Sequence, residues 1–68
     1  MRCGMKDLIQ DYEALYRQIV RQIYNLKKQL QNENLRTIEH DQLKARHDLL
    51  VAERFEIVDA INEMMKHL

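Results

Sequence analysis

From Leu43 to Leu68 the chain steps in alternating strides of four and three through Leu43, His47, Leu50, Arg54, Ile57, Ile61, Met64 and Leu68. This spacing keeps one stripe of a helix turned toward a partner helix, as in a coiled-coil seam. His47 and Arg54 are its two ionisable members. The first half of the chain carries a related pattern at Met5, Leu8, Tyr12, Leu15, Ile19, Ile23, Leu26 and Leu30. Its steps from Ile19 to Ile23 to Leu26 break the strict heptad, bring Gln22 to the seam edge and suggest the period of a straight helix.

Between the two patterns, Gln31-Asn32-Glu33-Asn34 is the one cluster of polar turn-formers. The pattern therefore predicts an all-α, antiparallel two-helix hairpin forming a single domain over residues 1–68. The first helix spans about residues 5–31, the turn 32–37 and the second helix 38–67. Thr37 offers a hydroxyl N-cap, with Glu39 and Asp41 favoured by the positive end of the helix dipole; a start capped by Asn34 is the alternative. Residues 1–4 are expected to fray, with Met5 resembling a natural beginning. With no proline and a single glycine, one continuous helix of about 60 residues is the competing architecture, a rod about 90 Å long.

Beyond the seams, the apolar arc widens on one side of each helix. On the first helix the extra residues are Ile9, Tyr16 and Val20; on the second they are Val51, Phe55 and Val58. Both sets share the same rotational sense, so reversing one helix axis turns them toward one face of the hairpin. The other face is left with Asp11, Gln18, Arg46 and Glu53. An apolar face of that length exceeds what a soluble monomer ordinarily exposes. Two such hairpins joined through it would make a four-helix bundle, and a homodimer is the expected assembly. A helix from another protein is the alternative cover.

Chain length sharpens this expectation. Sixty-eight residues bury too little surface for comfortable independent stability, and Cys3, the only cysteine, excludes an internal disulfide. Oligomerisation is the remaining common remedy, and the single cysteine suits a reduced cytoplasmic setting. No apolar run is long enough to span a bilayer, and no basic-then-apolar leader is recognisable. Eleven basic and eleven acidic side chains balance to zero net charge at pH 7, which argues against a strong pull toward nucleic acid or anionic membrane.

Candidate chemistry is sparse. Arg54 at the seam is expected to stack on Tyr16 or reach Asp11 or Glu13, and so to fix register; a groove arginine that binds a ligand or partner is the functional alternative. His47 is expected to form a polar layer with Gln22 and to make assembly sensitive to pH. His40 and His47 are seven residues apart, not the single turn that metal ligands on a helix need, so neither metal nor cofactor is implied. Arg17, Arg21, Lys27 and Lys28 form one basic stretch, with an acidic counterpart in Asp48, Glu53, Glu56, Asp59 and Glu63. The two are expected to face one another across the bundle. Without serine, a nucleophile beside a base or a glycine-rich phosphate loop, catalysis has no foundation here. The sequence thus points to a small non-enzymatic interaction or regulatory module. A dimeric nucleic-acid binder using Arg17, Arg21 and Lys28 is one alternative, and a structural coiled-coil subunit another.

Overall fold

The computed structural model describes residues 4–68. Two helices, α1 (Met5–Leu30) and α2 (Thr37–Met65), pack against one another as an all-α hairpin, with no strand among the described residues. The expected fraying of residues 1–4 falls outside the described residues except at Gly4, whose extended backbone is the N-cap of α1.

The turn is made as its polar side chains predict. Past Leu30 the chain tightens, with the Gln31 amide donating to the Lys28 carbonyl and the Asn32 amide to the Gln29 carbonyl. The Asn34 amide then donates to Oδ1 of Asn32 at 3.0 Å, so the asparagine side chain stands in for a backbone acceptor. The second helix opens one residue earlier than the capping argument implies. Thr37 is already helical, and Arg36 stands at the N-cap in extended backbone without a side-chain cap. Arg36 Nε lies 3.9 Å from Glu39 Oε1, a loose tie across that first turn.

The seam of α2 matches its pattern up to Met64: Leu43, His47, Leu50, Arg54, Ile61 and Met64 are half-buried and Ile57 is buried, while Leu68 lies beyond the helix and is exposed. The seam of α1 is shifted. Ile9 is buried, at 8% exposure, whereas Leu8 and Leu15 remain 46% and 42% exposed. Burial follows Ile9, Tyr12, Tyr16, Ile19, Ile23, Leu26 and Leu30, a strict three-four repeat with no phase break. The two readings differ by one residue at two steps, a rotation of about 100° there. A partner with an unbroken heptad selects the path that is itself an unbroken heptad, because only then does each turn of α1 keep facing α2.

Shared hollows set the register. Glu13 and Tyr16 share one with Val58, Ile61 and Asn62, and Gln22 and Leu26 share another with Arg46 and Leu50. Tyr16 thereby lies beside Val58 and Ile61, and Leu26 beside Arg46 and Leu50. The centre is an apolar cluster of Ile19, Ile23 and Ile57, against which Tyr12, Tyr16, Leu50, Val51 and Ile61 pack. No described side chain is completely buried. Two helices touch along a line, and a line of contact leaves every seam residue an open flank.

Candidate association face

The same hollows show which residues share a side of the hairpin. Glu13 lies one heptad before Val20, and it lines a hollow with Val58 and Asn62. The strip beside the seam of α1 that holds Val20 therefore lies on the same side as the α2 strip of Val51 and Val58. Gln29 and Gln22 meet Arg46 on the opposite side. That second side continues along α1 to Leu15 and Leu8, which border a shallow hollow with Asp11 and Tyr12.

On the first side, Val51 and Val58 are half-buried, Val20 is just exposed and Phe55 is 60% exposed. Two further residues belong to this strip and were not singled out from sequence. Tyr24, one turn after Val20, and Met65, one heptad after Val58, are both exposed. Their strides of four and seven from strip residues were the available signal. Ile9 and Tyr16, placed on this face by the sequence reading, are instead in the seam, because the phase of α1 turns them inward. The opposite side is correspondingly less polar than Asp11, Gln18, Arg46 and Glu53 alone suggest, since it also receives Leu8 and Leu15.

The two ionisable seam residues behave differently from expectation. The Arg54 guanidinium lies over the ring of Phe55, its Cζ 5.4 Å from the ring centroid. The ring beneath the guanidinium is thus that of its chain neighbour, where the sequence pattern pointed to Tyr16. Stacking on Phe55 lets the planar cation shed water on one side without an ion pair. His47 is half-buried in the seam, whereas Gln22 is exposed at its edge, beside Arg46 and Leu50. Its Nδ1 lies 3.2 Å from Asp48 Oδ1, while its Nε2 is buried without a hydrogen-bond partner. One ring nitrogen thus faces a carboxylate, and the other faces the apolar seam.

Within the hairpin, no ion pair among the described residues joins the basic stretch of α1 to the acidic stretch of α2. The Lys28 ammonium sits 4.9 Å from the Tyr24 ring centroid, and Arg17 and Arg21 are exposed. The acids of α2 that form ion pairs do so with close neighbours in sequence: Glu39 with Arg36, Asp41 with His40, Asp48 with His47, and Glu63 with Lys66 and His67. Among the described residues, no three His, Cys, Asp or Glu side chains converge as a metal site would require, and no helix is long and apolar enough to cross a membrane.

Comparison with known proteins found no matching family model, no matching curated protein and no matching solved structure.

Proposed function

We propose that this chain is a small interaction module that acts through helix–helix association, pairing with a second copy to complete a four-helix bundle. The observation that supports this reading is the apolar strip of Val20, Tyr24, Val51, Phe55, Val58 and Met65 along one side of a hairpin in which none of the described side chains is completely buried. Covering that strip would finish the burial of Val51 and Val58 and remove Phe55 from water. A fully buried side chain of this size contributes about 1.5–3 kcal/mol relative to its exposed state. A chain of this length has few other sources of stability. Neither catalysis nor a resident cofactor is part of this reading, and a regulatory role would be exercised through the assembly's surface. Sedimentation equilibrium at micromolar concentration tests it, with an expected mass at least twice the 8.3 kDa of one chain. A helical, cooperatively melting monomer would refute it.

A second reading has one observation in its favour. Arg17, Arg21 and Lys28 are exposed on α1 at spacings of four and seven, with the exposed ring of Tyr24 between them, a cationic stripe with a stacking platform. Retention on a nucleic-acid column that falls steeply with salt would favour it.

A further inference from the structure

Resting on the self-pairing proposed above, a further question is how the second copy is oriented. Two identical hairpins can meet face to face with two-fold symmetry in two ways. With the axis along the helices, both turns lie at one end and α1 covers α2 of the other copy. With the axis across the helices, the turns lie at opposite ends and each helix covers its own counterpart.

Charge and apolar surface along the docking face distinguish them. At the turn end this face carries Lys27 and Lys44, which occupy equivalent strip positions on the two helices, with Asp48 nearby. In the first arrangement four lysines would gather at one end against two aspartates, and like charges brought together disfavour an arrangement. That arrangement would also lay Glu13 and Arg17 of α1 over Phe55 and Val58 of α2, which strips water from two charged groups without pairing them. The second arrangement sets apolar against apolar, since Val51, Phe55, Val58 and Met65 all lie on the α2 strip. It also runs the α1 strip antiparallel to itself, which keeps Glu13 and Arg17 away from Phe55 and Val58.

The whole-molecule charge agrees. The half around the turn, residues 18–55, carries seven basic and five acidic side chains, whereas the open half carries four and six. Antiparallel stacking lays the positive half of each copy on the negative half of the other. We propose that the second copy docks in this way, with α1 on α1, α2 on α2 and the turns at opposite ends of the bundle.

Pulsed dipolar spectroscopy on the full chain tests the arrangement. With Cys3→Ser as background, spin labels are attached at Glu33→Cys in the turn or at Lys66→Cys near the open end. Two turn labels should be separated by a distance close to the 49 Å length of the hairpin. In a mixture of the two variants, a turn label and an open-end label should lie within about 20–30 Å, one or two helix-packing distances plus the label arms. A turn-to-turn distance in that short range would overturn the arrangement while leaving self-pairing intact. An absence of intermolecular coupling, with sedimentation giving the monomer mass, would overturn both this inference and the association reading beneath it.

Discussion

The guanidinium of Arg54 lies over the ring of its chain neighbour Phe55, with 5.4 Å between Cζ and the ring centroid. The pair joins the seam to the open face, since Arg54 is half-buried between the helices and Phe55 is exposed beside them. A charge that fills a seam position and an aromatic ring that awaits cover are therefore one unit. Change at either residue should be felt by both the hairpin and whatever docks on it.

For Phe55 the expected effect is on association. Phe55→Ala should cost about 3–5 kcal/mol per site if the ring is fully enclosed in the assembly. Dilution-dependent melting measures this, because a stability supplied by a second chain varies with chain concentration. Unchanged association would show that another face is used.

Arg54 should govern which assembly forms. Arg54→Leu joins Leu50 to Ile57 in an unbroken apolar seam and is expected to raise the melting temperature while admitting other registers or oligomers. Arg54→Ala should melt lower than Arg54→Leu, since it leaves a gap and loses the packing of the arginine stem. Chromatography and thermal melts of the two variants provide the comparison. A homogeneous Arg54→Leu dimer melting below the parent would count against a specificity role.

The phase of α1 can be tested with two adjacent residues. Ile9→Ala should destabilise by about 2–5 kcal/mol, the range for truncating a large aliphatic side chain in a core, and Leu8→Ala by clearly less. Urea denaturation followed by circular dichroism reads both. Equal losses would mean that Leu8 and Ile9 share the burial.

At His47 the unpartnered Nε2 implies that a hydrocarbon would be tolerated better. Removing a buried polar atom that lacks a hydrogen bond relieves a cost of about 1–3 kcal/mol. His47→Leu should accordingly melt higher than the parent at equal chain concentration. A lower melting point would indicate that the contact with Asp48 outweighs the buried nitrogen.

How much of this was legible in the sequence differs between the helices. In α2 the path from Leu43 to Met64 is apolar at both ends and through the middle, whereas the neighbouring path through Val51, Phe55 and Val58 meets Lys44, Asp48 and Asn62, so the seam could be placed without a partner. In α1 the adjacent pairs Leu8-Ile9 and Leu15-Tyr16 each offer two apolar residues for one seam position. Periodicity counts both, and only the period of the opposing helix decides between them. The turn was readable because Asn32 carries its own substitute acceptor. The Arg54 stack was missed because its partner is the next residue in the chain, which helical spacing rules do not bring into consideration.

The strict three-four repeat on both arms has one more consequence, for how the chain can change length. Removing seven residues from each arm at the same level would shorten the hairpin by about 10 Å and return every remaining seam residue to its place. An insertion of one residue between Ile19 and Ile23 would instead turn the two ends of α1 out of phase by about 100°. Length is therefore quantised in this molecule: whole heptads can be gained or lost in matched pairs, and single residues cannot.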